Sequence, residues 1–89
     1  MNKSRRKEIS QIYDKLSSII FDLDILKDRL ESVKEEERES LDNLPENLQY
    51  SSRAEEMEEN VDKLENALEE LSDSIEKMQE CVDIIEEFE

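Results

Sequence analysis

The sequence predicts an all-α fold, an antiparallel hairpin of two long helices in coiled-coil contact, which we expect to dimerise into a four-helix bundle. Apolar residues recur at alternating steps of three and four from Ala54 to Ile85, and only an α-helix gathers that spacing onto one side. The composition is 44% charged, 4% aromatic and free of glycine, which is typical of long helices rather than of a compact globular core. The single proline, Pro45, divides the chain into two helical halves.

The first helix is predicted from about residue 4 to about residue 42. Its expected core face consists of apolar residues at heptad spacing, namely Ile9, Ile12, Leu16, Ile19, Leu23, Leu26, Leu30 and Val33. The pattern then meets a carboxylate, Glu37, before it resumes at Leu41. The basic residues among residues 2–7 oppose the positive end of the helix dipole. We therefore expect this end to fray as a solvated tail, and the alternative is an arm that binds nucleic acid.

A connector over about residues 43–51 separates the two helices. Pro45 lacks the amide proton that a helix interior needs, and it disfavours helical geometry at Leu44. Ser52 and Glu55 have the spacing of a capping box, in which the serine accepts a hydrogen bond from a first-turn amide and the glutamate reaches back. We therefore predict a second helix from about residue 53 to about residue 87, and a single helical-hairpin domain over residues 1–89.

Antiparallel pairing of the two heptad patterns predicts a register. The expected core pairs include Ile9 with Ile85, Leu16 with Met78 and Leu30 with Leu64. On one flank the same register brings opposite charges together, in the pairs Arg6 with Glu86, Lys27 with Glu65 and Lys34 with Glu58. Each exposed pair contributes roughly 0–1 kcal/mol, so these charges act mainly by disfavouring slipped registers.

The charge of the chain disfavours two kinds of binding partner, nucleic acid and anionic membranes. There are 27 acidic and 12 basic residues, a formal net charge of −15, which disfavours direct contact with nucleic acid or an anionic membrane and suits a partner protein with a basic surface. The regular heptads argue against disorder, the alternative explanation of so acidic a chain. No apolar run is long enough to span a bilayer, no signal peptide is evident, and Cys81 is the only cysteine, so we expect a cytoplasmic protein.

The sequence offers no constellation of residues for catalysis. Without histidine it has no histidine-based triad and no histidine-containing di-iron site, and without glycine it has no phosphate-binding loop. Glutamates one helical turn apart could hold a divalent cation only weakly, because no rigid loop of oxygen ligands accompanies them. We therefore expect a non-enzymatic protein with no cofactor and no metal.

Two groups of apolar residues lie outside the predicted contact between the helices. One group is in the half of the hairpin away from the connector and comprises Tyr13, Ile20, Phe21, Ile84 and Phe88. The other is in the connector and comprises Leu44, Leu48 and Tyr50. Either group could serve as an interface between copies of the chain or as a docking site for another protein. Leu44 and Leu48 have a third interpretation, as residues that cap the hairpin core.

Carboxylates are concentrated in the half of the hairpin near the connector. The candidate acidic surface comprises Glu35, Glu36, Glu39, Glu55, Glu56, Glu58 and Glu59. Carboxylates on a helical scaffold can imitate the phosphates of DNA, which would make this surface an inhibitor of a nucleic-acid enzyme. The alternative is a solvated face that keeps the protein soluble.

The connector motif resembles that of a known group of proteins. The motif consists of Leu44-Pro45-Glu46-Asn47-Leu48-Gln49, then Ser52-Arg53, Met57-Glu58 and Asp62-x-Leu64-Glu65-x-Ala67, after a basic opening Arg5-Arg6-Lys7. It is similar to that of small acidic helical-hairpin proteins from phages, prophages and mobile elements of Gram-positive bacteria. The resemblance implies a small helical phage-type protein, and the group carries no assigned activity and no functional residues to transfer.

The sequence thus predicts a protein-binding helical hairpin of phage or prophage type. Its expected partners are a second copy of itself, as a homodimer, and an unidentified protein. One alternative is an acidic DNA mimic that inhibits a host or defence enzyme acting on nucleic acid. Another is a structural or assembly protein of a phage particle.

Overall fold

The computed structural model describes residues 1–88 and contains two long helices. Helix α1 is Lys3–Asp42 and helix α2 is Ser52–Glu86, with a short 3₁₀ turn, Glu46–Leu48, between them. Residues 1–88 contain no β-strand. The two helices pack against each other, so the prediction of an all-α helical hairpin is confirmed.

A side-chain cap begins α1. The Asn2 Oδ1 accepts a hydrogen bond from the backbone N–H of Arg5 at 2.8 Å, and the Asn2 carbonyl accepts one from the N–H of Arg6 at 3.2 Å. Asparagine is among the preferred residues for this position because its short side chain reaches an otherwise unpaired amide. The helix therefore begins at Lys3 although no acidic residue lies in its first turn.

The connector ends one helix and starts the next through local hydrogen bonds. Pro45 is extended at φ −56° and ψ 147°, and its carbonyl accepts a bond from the N–H of Leu48 at 2.8 Å. The Ser51 Oγ donates to the Leu48 carbonyl at 2.6 Å and accepts from the N–H of Ala54 at 3.2 Å. The predicted capping box beginning at Ser52 is therefore wrong, because Ser51 caps α2 and Ser52 is the first helical residue.

Two compact units make up the structure. The turn unit, Lys27–Leu71, contains the connector and the adjoining parts of both helices. In this unit α2 buries residues at its predicted heptad positions, namely Ala54, Met57, Val61 and Leu68. The α1 residues half-buried in the same unit are Lys27, Leu30, Lys34, Glu37 and Leu41.

The terminal unit comprises residues 1–26 and 72–88. Its buried residues are Ile20 on α1 and Val82 on α2. Half-buried apolar residues surround them, namely Ile9, Tyr13, Leu16 and Leu23 on α1 and Ile75, Met78 and Ile85 on α2. In both units the buried face of α2 is the one that its heptad pattern predicts.

The buried face of α1 differs from the predicted one. Ile12, Ile19, Leu26 and Val33 were expected in the core, yet they are 43%, 36%, 47% and 49% exposed. Their places are taken by the next residue along the chain in each case, namely Tyr13, Ile20, Lys27 and Lys34. The helix is rotated about its axis relative to the prediction, so that only one half of its apolar pattern faces α2.

The burial pattern indicates a register between the helices that differs from the predicted one by one helical turn. From the alternation of burial we infer that Leu44 and Ala54 face each other beside the connector, in the turn unit. The same alternation in the terminal unit places Ile20, rather than Leu16, opposite Met78. The hydrogen bonds of Pro45 and Ser51 lie in the connector between Leu44 and Ala54.

Lys34 forms ion pairs within its own helix. Its Nζ lies 3.0 Å from Glu31 and 3.6 Å from Glu35, both on its own helix, instead of pairing with Glu58 as predicted. The hydrogen bond with Glu31 is the main cause that raises the pKa of Lys34, and the charges of Glu31, Glu35 and Glu65 act in the same direction against desolvation. The stabilisation from this charge is present below pH 10.5 and is lost as the pH rises through the raised pKa.

Candidate protein-binding surface

An exposed apolar stripe lies along α1 within the terminal unit. Ile12, Ile19 and Leu26 share one heptad position and are 43%, 36% and 47% exposed; we call them the α1 stripe. Leu16 and Leu23 lie between them on the adjoining heptad position and are half-buried. Each leucine is therefore partly exposed beside the stripe, and together they extend the apolar surface of α1.

The stripe has the spacing of a helix-binding seam. Steps of four and three connect Ile12, Leu16, Ile19, Leu23 and Leu26, and a second helix can insert its side chains between residues at this spacing. In the turn unit, Val33 repeats the heptad position of the stripe and is 49% exposed. The arrangement can hold an amphipathic helix by apolar contact, and it presents no group for covalent chemistry.

Sequence reasoning missed the stripe as a surface because it assigned these residues to the core. A signal that could have found it lies near the connector. Leu41 follows Glu37 by four residues and Leu44 follows Leu41 by three, and this spacing continues back along α1 through Lys34, Leu30 and Lys27. The half-buried residues of α1 continue this line toward the chain start, which leaves the α1 stripe beside it and uncovered.

The predicted apolar candidates near the chain ends have different positions. Phe21, Ile84 and Phe88 are exposed. Tyr13 is half-buried. Ile20 is 7% exposed, so its assignment to a partner-binding surface is corrected, since this side chain belongs to the hairpin core.

The three candidate residues in the connector also differ in their exposure. Leu44 is half-buried beside the start of α2, as expected of a residue that caps the core. Leu48 is exposed, and Tyr50 is 94% exposed, the largest exposure among the large hydrophobic side chains in residues 1–88. Only Leu48 and Tyr50 are therefore accessible to a partner at this end of the turn unit.

The candidate acidic surface is accessible throughout the turn unit. Every one of its glutamates is exposed, namely Glu35, Glu36, Glu39, Glu55, Glu56, Glu58 and Glu59. Glu35 lies 3.6 Å from the Nζ of Lys34, and Glu59 lies 3.4 Å from the Nζ of Lys63. The surface retains a strongly negative potential, because residues 27–71 contain 16 acidic and 6 basic residues.

Three further features of the described chain are a groove, the arrangement of its potential metal ligands and its cysteine. An open groove on α1 is lined by Val33, Glu36, Glu37 and Ser40, with no enclosed apolar floor of the kind that binds small molecules. Residues 1–88 contain no cluster of side chains suited to holding a metal ion. Cys81 is a free, exposed thiol.

Neither helix is both long enough and apolar enough to cross a membrane, within the residues that the structure places. Comparison of the chain with protein-family models, with curated proteins and with solved structures finds no match. The interpretation of function therefore depends on the two surfaces, the α1 stripe and the acidic surface of the turn unit.

Proposed function

We propose that the chain is a non-enzymatic protein-binding helical hairpin of phage or prophage type that engages its partners through the α1 stripe. The observation that carries the proposal is that α2 leaves Ile12, Ile19 and Leu26 uncovered. Partially exposed apolar residues at heptad spacing favour contact with another helix, because burial removes their surface from water. The origin follows from the resemblance of the connector motif. Self-association into a four-helix bundle belongs to the same proposal.

The composition of α1 makes the stripe stand out from its surroundings. Aside from Phe21 and Ile25, the exposed residues between Ile12 and Leu26 other than the stripe are charged or polar. An apolar strip with polar edges is the pattern of a helix-docking site, since the strip supplies affinity and the edges supply orientation.

A pull-down with matched variants tests the proposal. Leu26 and Ile25 are adjacent in sequence and both 47% exposed, but only Leu26 belongs to the stripe. The tagged protein is used to capture partners from a Gram-positive host lysate at low and high salt, and the captured proteins are identified by mass spectrometry. We expect a partner that persists at high salt, is lost with Leu26→Lys and is retained with Ile25→Lys. Equal capture by the two variants would contradict the proposal.

The acidic surface supports a second candidate function, that of a DNA mimic. The specific observation is that all seven of its glutamates are exposed in one compact unit. A basic nucleic-acid enzyme would be attracted by these charges, and the attraction would weaken as salt screens it.

Charge reversal separates this second candidate from the first. The change is Glu55, Glu56, Glu58 and Glu59 to Lys, and the measurement is inhibition of a DNA-cleaving enzyme with a basic cleft at 50 and 500 mM NaCl. Mimicry predicts inhibition by the original chain at low salt, none at high salt and none by the variant. Inhibition that survives the charge reversal would rule out mimicry by this surface.

A further inference from the structure

We propose that a second copy of this chain occupies the α1 stripe, with the two α1 helices antiparallel across a two-fold axis over the segment from Ile9 to Leu26. This inference rests on the proposed use of the stripe for helix binding and names its occupant. A two-fold contact is isologous, so the same stripe contributes both sides of the interface. The helix that fits an Ile and Leu stripe at heptad spacing is one with the same spacing.

Charge favours α1 over α2 as the helix that covers the stripe. Helix α1 contains nine basic and eleven acidic residues, whereas α2 contains three basic and thirteen acidic residues. An α2 helix laid on the stripe would bring a net charge of −10 against α1, whereas a second α1 helix brings a net charge of −2. The near balance of charge on α1 therefore selects an α1–α1 contact between copies.

The charges that border the stripe favour the antiparallel orientation. Glu8, Lys15 and Asp22 repeat every seven residues beside the stripe, alternate in sign, and are all exposed. In antiparallel helices these positions lie beside their own equivalents, so opposite signs can pair. In parallel helices they would lie beside Tyr13 and Ile20 of the second copy, of which Ile20 is buried against α2 and cannot pair with a charge.

The same charges determine the register. When Leu16 faces Ile19 of the second copy, Lys15 lies beside its Asp22, and the symmetry repeats both contacts. Ile12 then faces the second copy's Leu23, and Ile9 faces its Leu26, so every layer of the contact is apolar. Displacing one helix by a heptad in either direction instead brings two Lys15 residues or two Asp22 residues together. Like charges at such positions disfavour these registers.

The first test is the mass of the particle in solution. Sedimentation equilibrium of the full chain should give twice the 10.6 kDa of one copy. Leu26→Lys should give a monomer, and Ile25→Lys should remain dimeric, because only Leu26 lies in the contact. Circular dichroism of each variant shows whether it remains helical, and a helical Leu26→Lys variant that stays dimeric overturns the inference.

The second test uses reciprocal charge exchange and does not depend on disturbing the apolar stripe. Lys15→Glu alone, or Asp22→Lys alone, turns two attractions across the two-fold axis into two repulsions and should weaken the dimer about tenfold. The double variant Lys15→Glu with Asp22→Lys restores opposite charges only in the proposed register, so it should recover the original dissociation constant. A double variant that stays as weak as either single variant overturns the register.

The outcome for the dimer is distinguishable from that for the proposed function. A chain that is monomeric up to millimolar concentration overturns the second copy as occupant, while capture of a partner that depends on Leu26 would still stand. A dimer that dissociates with Leu26→Lys supports the inference even when the lysate yields no other protein.

Discussion

Glu37 lies in the half-buried line of α1 residues that faces α2 in the turn unit. Its neighbours along that line are Lys34 and Leu41, and the α2 residues of the same unit are apolar, including buried Met57 and Val61. A carboxylate in such a place makes fewer apolar contacts than a leucine of similar size would make. We therefore expect an apolar residue at position 37 to make the turn unit more stable than Glu37 does.

Replacing Glu37 with leucine should stabilise the fold. The change adds apolar burial, so we expect the free energy of unfolding to rise by about 1 kcal/mol. The measurement is urea denaturation followed by circular dichroism. Glu36→Leu is the control, because Glu36 is exposed and its replacement should change the free energy by less than about 0.5 kcal/mol. A larger gain from Glu36 than from Glu37 would contradict the placement of these two side chains.

Two adjacent serines at the start of α2 should contribute unequally to the stability of the fold. The Ser51 Oγ accepts the amide of Ala54 and donates to the carbonyl of Leu48, whereas Ser52 is the first residue of the helix. Ser51→Ala should lower the free energy of unfolding by about 1 kcal/mol, the usual cost of losing an N-terminal cap. Ser52→Ala is the matched control and should cost little. The loss of stability is measured by thermal unfolding. An equal loss from the two variants would contradict the assignment of the cap to Ser51.

At the scale of the helices, the sequence predicts one face correctly and one incorrectly. The apolar residues of α2 form a single line, so its buried face follows directly from the heptads. Helix α1 has two overlapping lines that share Leu16, Leu23 and Leu30, one completed by Ile12 and Ile19 and the other by Tyr13 and Ile20. Counting apolar residues favours the first line, which includes neither Lys27 nor Lys34. The buried and half-buried residues of α1 follow the second line instead.

The candidate surface could not be predicted for the same physical reason. A heptad pattern states which residues are apolar, but it does not state which of two adjoining lines an antiparallel partner will cover. That choice depends on the turn, whose cap at Ser51 is one residue from the serine that motif matching selects. The acidic surface is accessible because its glutamates lie outside the buried and half-buried line of each helix.

Disulfide trapping tests the inferred register of the terminal unit. In a Cys81→Ser background, Met78→Cys is combined with either Ile20→Cys or Leu16→Cys. Residues that face each other across the helices can form a disulfide, because their Cα atoms must come within roughly 4.4–6.8 Å. We expect rapid oxidation within one chain for the Ile20 pair and slow or no oxidation for the Leu16 pair, measured by thiol titration and mass spectrometry at low protein concentration. Faster closure of the Leu16 pair would restore the originally predicted register.

At the scale of the whole molecule, the net charge of −15 opposes compaction. The structure buries no polar or charged residue among residues 1–88, so the charges all lie where water and salt can screen them. The last turns of both helices add to the effect, since neither contains a basic residue at its negative end. Screening by salt should therefore stabilise this fold, in contrast to a protein held by surface ion pairs.

The C-terminal part of α2 allows this expectation to be tested with a defined variant. Glu86 is exposed in the last turn of α2, where it acts unfavourably with the helix dipole, and Glu80 is exposed six residues before it. Both also repel neighbouring carboxylates on the same helix. Changing both to glutamine should raise the free energy of unfolding in 10 mM NaCl by about 0.5–1 kcal/mol, measured by urea denaturation. Raising the salt to 500 mM should stabilise the original chain more than the variant, because the variant has fewer repulsions left to screen. Measurements on the Leu26→Lys background keep dimer formation from contributing, and an original chain that loses stability as salt is added would show that its ion pairs outweigh the repulsion.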